Sequence, residues 1–489
     1  MIPQFAQVDW FALLNAGLPW IVVFAAAVVA FLTAALVEDE DSMIIPLVTL
    51  GAIAIAFVIS WQRWLAVQPA LSAGMLVFDK LSFFMWLVIL VAAAIAVLLS
   101  IPYLKARGFV RAEYYGLLLL SALGMGCLVS AGDLLMIYLG IETMSMAVYV
   151  LAGFLRARAS SNEAALKYFL IGAFASAFLL MGIAFIFGSA GTTNLSVLAE
   201  RSVEIMNGEG RPFYLFGMAM LLVGFGFKVA AVPFHAWAPD VYDGAPTPIT
   251  VFMATAVKAA AFVAFLRLST SAFRAGGDLW IQVITVMSVA TMLVGNLAAI
   301  VQENIKRMLA YSSIAHAGYI LVAFPAIVND PQGAGRAILF YLFAYVLMTA
   351  GAFAIVVVMG LGPHEHTDIN HLAGLGKRRP FLAAALSLFL ISLLGIPPTV
   401  GFFGKYYLFL TAVKSGFIWL VVIAVINSAL SAYYYLRPIV IMYFKPVDET
   451  LPAEPLSPAI VAVLAVTALG VAYFGLFPSD LLAIVARSF

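Results

Sequence analysis

Runs of about 20 predominantly apolar residues recur along the whole of this 489-residue chain. Each run is long enough to cross a hydrocarbon core of roughly 30 Å as an α-helix. Hydrophobic residues make up 65% of the sequence and charged residues 10%, with a mean hydropathy of +1.09, so little of the chain remains for a soluble domain. The sequence therefore predicts an all-α polytopic membrane protein with about 14 transmembrane helices.

Polar, proline-containing and glycine-containing segments separate the apolar runs and set the expected bounds of the helices. We expect spans at residues 13–36, 43–62, 82–101, 112–131, 134–155, 164–189, 213–236, 248–268, 279–300, 308–328, 336–360, 381–412, 417–440 and 458–477. The first run lacks a basic flank and a small-residue cleavage site, which favours a retained span over a signal peptide. One set of alternate connections holds thirteen lysines and arginines and the other set nine. This bias predicts that both termini lie on the outer side of the membrane.

Charge and cysteine content exclude several classes of function. A net charge of +1 favours neither a nucleic-acid partner nor a polyanionic substrate. The single cysteine, Cys127, excludes an intrachain disulfide and an all-protein cysteine cluster for iron–sulfur or zinc. No glycine-rich nucleotide loop, paired-histidine haem pattern or nucleophile triad is present. We expect no cofactor and no metal in this chain.

The longest polar connection, residues 362–380, has a composition that resembles a metal site. It holds His364, Glu365, His366, Asp368 and His371. The polar setting favours a solvated loop over a metal centre.

An internal repeat emerges when the fourth and fifth spans are laid over the ninth and tenth at an offset of 170 residues. The segment from Asp133 to Phe154 then runs beside the segment from Glu303 to Phe324, with acidic starts, tyrosines and phenylalanines in register. A repeat of five spans is odd in number, which predicts two copies inverted in the membrane. We expect an N-terminal three-helix segment (1–110), a first repeat (111–270), a second repeat (271–445) and a C-terminal span (446–489).

Prolines interrupt the seventh and twelfth spans, at Pro233 and at Pro397-Pro398. A proline inside a helix removes one amide hydrogen and frees the carbonyl one turn earlier. Within a bilayer such irregular backbone is tolerated where it is buried in protein or lines water. Lys228 lies five residues before Pro233, and Lys405 lies seven after Pro398. The two breaks predict a polar cavity at mid-depth, and packing kinks are the alternative.

Glu142 lies about nine residues into the fifth span, close to the middle of the membrane. A lone carboxylate there would take up a proton, because burial disfavours its charged form. We expect Lys228 to be its partner, in a pair from which a small change of geometry moves a proton. A static ion pair between helices is the alternative.

Further titratable residues extend this pattern. Lys258 and Lys405 have no acidic neighbour in sequence and suit proton carriers, with snorkelling to the interface as the alternative. His316 is placed to bridge these two lysines, although a structural histidine fits the sequence equally well. Tyr434 is an auxiliary candidate that could contribute a hydroxyl to the proton path, and ordinary aromatic packing is the alternative. Lys167, close to the inner surface, is an auxiliary electrostatic partner.

Two long motifs carry a resemblance to a known family. The segment Lys228-Val-Ala-Ala-Val-Pro-Phe-His-Ala-Trp-Ala-Pro-Asp240, followed by Gly-Ala-Pro-Thr-Pro-Ile-Thr250, resembles a signature of the antiporter-like membrane subunits of respiratory complex I and of multisubunit cation/proton antiporters. Gly395-Ile-Pro-Pro-Thr-Val-Gly-Phe-Phe-Gly-Lys405 is similar to the second signature. The resemblance covers roughly residues 110–445.

The resemblance implies a role for each residue. Glu142 and Lys228 would form the ion pair of one half-channel, Lys258 would link the halves, Lys405 would end the other, and His316 would belong to a central hydrated axis. Proton translocation would then be coupled to quinone reduction elsewhere in the complex. A subunit of a cation/proton antiporter and a structural membrane spacer are the alternatives.

The resemblance also implies partners and a location. Flavin, iron–sulfur clusters and quinone are expected in partner subunits. Neighbouring antiporter-like subunits and membrane lipids are the expected contacts. The expected location is an energy-coupling membrane, and specifically the bacterial cytoplasmic (inner) membrane.

Overall fold

A computed structural model describes residues 10–36, 43–66, 70–361, 365, 367–446 and 456–489. Within these ranges nearly all regular structure is helical. The helices are α1 (Trp10–Leu36), α2 (Ile44–Leu65), α3 (Lys80–Lys105), α4 (Ala112–Val129), α5 (Leu134–Ala152), α6 (Ala159–Ala190), α7 (Leu195–Asn207), α8 (Arg211–Val229), α9 (Trp237–Gly244), α10 (Thr247–Phe252), α11 (Lys258–Thr270), α12 (Gly277–Ile300), α13 (Ile305–Leu321), α14 (Pro331–Met359), α15 (Leu375–Arg378), α16 (Pro380–Leu394), α17 (Val400–Lys414), α18 (Ile418–Phe444), α19 (Pro458–Leu476) and α20 (Pro478–Ser488). Short 3₁₀ turns occupy Arg274–Gly276, Pro325–Val328 and Ile369–Leu372.

Thirteen helical segments in the described ranges are long and apolar enough to cross a membrane. A fourteenth crossing is divided between α16 and α17, each of 15 residues and therefore about 22 Å long. The predicted fold class, an all-α polytopic membrane protein, is confirmed. The seventh span is shorter than predicted, because α8 ends at Val229 instead of continuing to residue 236. Two elements were not predicted at all, the amphipathic α7 and a hairpin of β1 (Leu71–Ala73) and β2 (Leu76–Phe78).

Both proline-containing segments break their helices. After α8, Ala230 adopts a left-handed conformation with φ of 57°, and after α16, Gly395 does so with φ of 89°. The peptide bonds before Pro233 and Pro398 are cis. The indole Nε1 of Trp237 donates a hydrogen bond to the carbonyl oxygen of Phe227 at 3.0 Å, which satisfies one carbonyl at the end of α8.

The centre of the bundle is formed by α13, α14 and a continuous helical segment made of α10, a π-helical turn at Met253–Val257, and α11. Residues of the Thr247–Thr270 segment are almost all buried. Only about a third of the residues are buried in the outer helices, which are α1, α2, α6, α18 and α19. The outer helices present large apolar side chains such as Phe174, which is 68% exposed. This distribution suits a bundle whose periphery faces lipid and whose centre faces protein.

Small residues allow neighbouring helices to approach closely. A Cβ atom added to Gly140 on α5 would lie 2.9 Å from the backbone nitrogen of Leu128 on α4. One added to Gly295 on α12 would lie 2.5 Å from the backbone nitrogen of Ala315 on α13. Close approach of this kind is the main source of packing energy between helices in lipid.

Two helix starts are tied down by the same hydrogen-bond pattern. Before α5, Leu134 N donates to the carbonyl of Thr193 at 2.9 Å, and the return bond joins Leu195 N to the carbonyl of Gly132 at 2.9 Å. Asp133 caps α5 by accepting from the backbone of the second residue of that helix.

The equivalent bonds before α13 join Ile305 N to the carbonyl of Thr367 at 2.7 Å, and Ile369 N to the carbonyl of Glu303 at 2.8 Å. Asn304 caps α13 in the same manner as Asp133 caps α5. Each of these two pairs of backbone hydrogen bonds, called bridges below, therefore fixes the start of a helix to a distant connection. Five membrane crossings separate the two bridges along the chain.

Candidate functional site

Lys228 lies in the last turn of α8, just before the first helix break. Its side chain is buried, with 4% of the residue exposed. The Nζ atom donates to Ser145 Oγ at 2.7 Å and to Tyr149 OH at 3.3 Å, both on α5. It also lies 5.7 Å from the centre of the Tyr168 ring. Neutral oxygens and aromatic faces therefore surround this ammonium group.

Glu142 does not form the predicted direct ion pair with Lys228. In the described part of the chain no carboxylate oxygen lies within 4.0 Å of Lys228 Nζ, and Glu142 instead accepts a hydrogen bond from Ser176 on α6. The reason is the rotation of α5 about its axis. Ser145 faces α8, whereas the carboxylate of Glu142, about one turn earlier in the same helix, faces α6. The Glu142 charge is still near enough to interact electrostatically with Lys228.

Lys258 is the first residue of α11, directly after the π-helical turn, and is 2% exposed. Its Nζ donates to the carbonyl oxygen of Ser313 at 2.6 Å and to the hydroxyl of the same residue. The Tyr345 ring centre lies 5.7 Å away. The side chain is fully inside the bundle, so snorkelling to the interface is excluded for this lysine.

His316 connects three helices through its two ring nitrogens. Nδ1 is hydrogen-bonded to the hydroxyl of Tyr341 on α14, and Nε2 lies 2.9 Å from the hydroxyl of Tyr435 on α18. The Tyr435 hydroxyl is bonded in turn to Ser312. Tyr434, the residue predicted to assist, points elsewhere and donates to Asn296 at 2.9 Å. The tyrosine bonded to His316 is the neighbouring Tyr435, because adjacent residues on a helix point about 100° apart.

Lys405 lies in α17, after the second helix break, and is 5% exposed. Its Nζ donates to the carbonyl oxygen of Leu394 at 2.8 Å and to Ser428 Oγ at 2.8 Å. Leu394 is the last residue of α16, so the lysine binds one of the carbonyls freed where this helix ends. The ring of Tyr319 lies 4.6 Å from Nζ. Like Lys228 and Lys258, Lys405 has no carboxylate within 4.0 Å among the residues that the structure places.

Helix α13 links these groups. Ser313, His316 and Tyr319 follow one another at intervals of three residues, which puts them on one face of the helix. Lys258 contacts the first of them, and Lys405 lies over the ring of the last. One face of α13 therefore brings a titratable histidine between two buried lysines.

Lys167 lies outside this buried row. It is paired with Glu163 at 2.6 Å and with Asp240 at 2.8 Å, and its side chain is 39% exposed. Asp240 also accepts from Arg307 at 2.8 Å. Partial burial acts to raise the pKa of Asp240, but the hydrogen bonds from Lys167 and Arg307 outweigh it and hold that pKa below its ordinary value. These groups line a small polar pocket of about 110 Å³ where α6, α9 and α13 meet.

Glu365 is the clearest residue that sequence reasoning missed. Its side chain is 6% exposed although it belongs to the polar connection after α14. It pairs with Arg107 at 3.0 Å and with Arg158 at 2.9 Å, lies 3.8 Å from Lys306 Nζ, and accepts a hydrogen bond from Tyr103. The solvated-loop interpretation is therefore wrong for this residue.

The cations around Glu365 come from three parts of the chain, near the end of α3, before α6 and at the start of α13. Burial alone would raise the pKa of Glu365, but the Lys306 charge and the bonds from Arg158 and Tyr103 lower it to about 2. The signal that could have found it is an acidic residue in a connection predicted to lie on the same side of the membrane as Arg107, Arg158 and Lys306.

The described residues contain no group of three or more histidine, cysteine, aspartate or glutamate side chains that could hold a metal ion. His364 and His366, part of the metal-like cluster of the sequence, lie outside the described residues.

A family model described as NADH:quinone oxidoreductase/Mrp antiporter, TM, matches residues 131–431, which is more than half of the chain. The chain belongs to this family. The resemblance carried by the two motifs is therefore confirmed.

Among its relatives are proteins named NADH-quinone oxidoreductase subunit N. The relative from Trichlorobacter lovleyi is 46% identical over 406 residues, which cover 83% of this chain and 82% of that protein. A subunit N 2 from Symbiobacterium thermophilum is 41% identical and covers 98% of both chains.

Two solved structures share the fold of this chain. A chain of respiratory complex I from Thermus thermophilus with bound Aureothin has a TM-score of 0.82 at 35% identity, and the match covers 96% of this chain and 99% of that one. A chain of the Mrp complex from Dietzia sp. DQ12-45-1b has a TM-score of 0.83 over 97% of each chain. At 22% identity the latter supports the fold alone.

Proposed function

We propose that this antiporter-like subunit translocates protons as part of a membrane-bound NADH:quinone oxidoreductase. Quinone reduction in partner subunits would supply the free energy, and flavin, iron–sulfur clusters and quinone would be bound there. The names of the curated relatives and the structural match to respiratory complex I support this assignment.

The observation that carries the proposal is the set of three buried lysines. Lys228, Lys258 and Lys405 are buried in the bundle without a carboxylate within 4.0 Å in the described ranges. A structural role would favour fixed ion pairs, because an unpaired charge in a membrane interior costs several kcal/mol. Hydroxyls, carbonyls and aromatic faces instead allow each amine to gain or lose its proton with little rearrangement.

In this scheme each residue has one task. The Glu142 charge favours the protonated form of Lys228, and a change in its surroundings releases that proton. Lys258 and Lys405 receive and pass on charge through the α13 face that carries His316. A membrane potential of about 100 mV opposes each moved charge by about 2.3 kcal/mol, so the redox reaction must supply at least that for each proton.

The two similar bridges support the proposed inverted repeat of residues 111–270 and 271–445. They suggest a register one residue further than the sequence comparison, with Asp133 beside Asn304. Ser145, the partner of Lys228, then corresponds to His316, and Glu142 corresponds to Ser313, the partner of Lys258. Residues 1–110 and 446–489 would flank the repeats. A bacterial inner membrane with both termini outside remains part of the proposal.

The test is Lys228→Ala in the assembled complex, with Lys414→Ala as the matched control, since Lys414 is exposed at the end of α17. We expect the Lys228 variant to lose proton pumping per electron, and the control to pump normally. The proposal fails if pumping per electron and quinone reduction both persist unchanged in the Lys228 variant.

A subunit of a cation/proton antiporter is the second candidate, because the same family model includes Mrp antiporters. It predicts sodium-dependent proton exchange without NADH. Co-purification of the chain with a flavin- and iron–sulfur-containing complex would favour the first candidate.

A further inference from the structure

A separate cavity of about 680 Å³ opens at the end of the bundle where α3 begins. Its walls come from the start of α1, the end of α2, the β1–β2 hairpin, the end of α11 and the end of α20. It lies away from the buried lysines, and nothing in the proposed relay uses it.

Four cationic side chains line this groove, against one acidic side chain. They are Arg63, Lys80, Arg267 and Arg487, and the acid is Asp79. Asp79 forms an ion pair with Arg267, whose guanidinium donates a hydrogen bond to the carboxylate at 2.7 Å.

Among the residues that the structure describes, no carboxylate lies within 4.0 Å of the other three cations. Arg63 donates to the amide oxygen of Asn15, and in the part of the chain that the structure describes, Lys80 and Arg487 form neither an ion pair nor a side-chain hydrogen bond. Within the described ranges, three of the groove's positive charges are therefore not part of an ion pair.

Apolar surface continues from the groove onto the outside of the bundle. Phe11, Phe78 and Phe83 line the cavity itself. Phe11 is 80% exposed and leads onto the face of α1 that also exposes Leu14. Trp61, 41% exposed near the end of α2, is the kind of residue that marks the boundary between hydrocarbon and headgroups.

We infer that this groove binds an anionic phospholipid, with the phosphodiester among Arg63, Lys80 and Arg487 and the acyl chains along α1 and α2. Guanidinium and ammonium groups are the usual partners of phosphate oxygens. Free phosphate would match the charges but leave the aromatic wall without a partner. A lipid matches both, and the groove lies at the ends of the apolar helices α1, α2 and α3, where headgroups are expected.

The test is lipid binding to the intact, delipidated complex, measured by native mass spectrometry during titration with phosphatidylglycerol or phosphatidylcholine. The variant is the triple substitution Arg63→Gln, Lys80→Gln and Arg487→Gln. The matched control is Arg201→Gln, Arg211→Gln and Lys414→Gln, which removes three exposed charges from the same side of the bundle but outside the groove.

A basic residue near a membrane surface contributes a factor of about five in affinity for an anionic lipid, which is equivalent to about 1 kcal/mol. We therefore expect the triple variant to bind phosphatidylglycerol roughly 100-fold more weakly at that site. The control should bind normally, and phosphatidylcholine should not replace the lost lipid. If the triple variant does not assemble, Arg487→Gln alone should weaken binding about fivefold.

Three results would overturn the inference. The first is equal binding of phosphatidylglycerol by the triple variant and the control. The second is displacement of the lipid by inorganic phosphate at the same concentration, which indicates a plain anion site. The third is a segment of another subunit filling the groove in a structure of the intact complex.

Discussion

The substitution Glu365→Gln should destabilise the chain by about 3 kcal/mol. The pKa of Glu365 falls from an ordinary 4.5 to about 2 in the folded protein, and each unit is equivalent to 1.36 kcal/mol. At 6% exposure the side chain is too buried for solvent to screen much of this energy. Glutamine keeps the shape but removes the charge, and leaves Arg107, Arg158 and Lys306 facing one another.

The sign of the pH dependence follows from the direction of that shift. A carboxyl group whose pKa is lowered by folding binds fewer protons in the folded state. Its contribution is therefore complete above about pH 4.5 and is lost as the pH falls toward 2. We expect the stability difference between the wild type and the Glu365→Gln variant to be constant at neutral pH and to shrink below pH 4.5.

The assay is SDS titration of the full-length chain in mixed micelles, followed by tryptophan fluorescence. Glu163→Gln is the matched control, because Glu163 is also paired at 2.6 Å but is 63% exposed, and such a pair contributes about 0–1 kcal/mol. A double-mutant cycle with Arg158→Gln isolates the direct pair. The reasoning is refuted if Glu365→Gln and Glu163→Gln change the free energy of unfolding equally.

Three further substitutions test the site and its packing. Tyr435→Phe removes the hydroxyl bonded to the histidine and should lower the rate of proton pumping roughly tenfold, equivalent to about 1.4 kcal/mol in the barrier. Tyr434→Phe should leave that rate unchanged, and equal effects in the same pumping assay would reject the assignment. Ser145→Ala removes the nearest partner of a buried lysine and should cost about 1–3 kcal/mol of stability in the SDS titration. Gly140→Val places side-chain atoms against the backbone of α4 and should abolish assembly on native gels, whereas Gly51→Ala, with open space around it, should assemble normally.

The number of spans and the positions of the helix breaks could be predicted because they depend on local properties. Twenty apolar residues form a helix in lipid wherever they occur, and a proline removes a hydrogen bond in any helix. The sequence placed Lys228, Lys258 and Lys405 within apolar spans, but it left snorkelling open for Lys258 and Lys405, and the structure shows both of them buried.

Contacts between helices could not be predicted in the same way, because they depend on how each helix is rotated about its axis. The choice between Tyr434 and Tyr435 is a rotation of about 100°, and an almost wholly apolar helix gives no periodicity that fixes it. The same uncertainty produced the expected direct contact of Glu142 with Lys228. Glu365 was missed because its partner Arg107 lies 258 residues earlier in the chain.

The π-helical turn at Met253–Val257 lies directly before Lys258 in the central helix. A π turn contains one residue more than an α turn, so its conversion to α-helix would rotate one side by about 100° and displace it by about 1.5 Å. Lys258 is the first residue beyond the turn, and such a rotation would carry its amine away from the hydroxyl and carbonyl of Ser313. Conversion of this turn between π and α geometry would thus couple rotation of the helix to the hydrogen bonding of a titratable group.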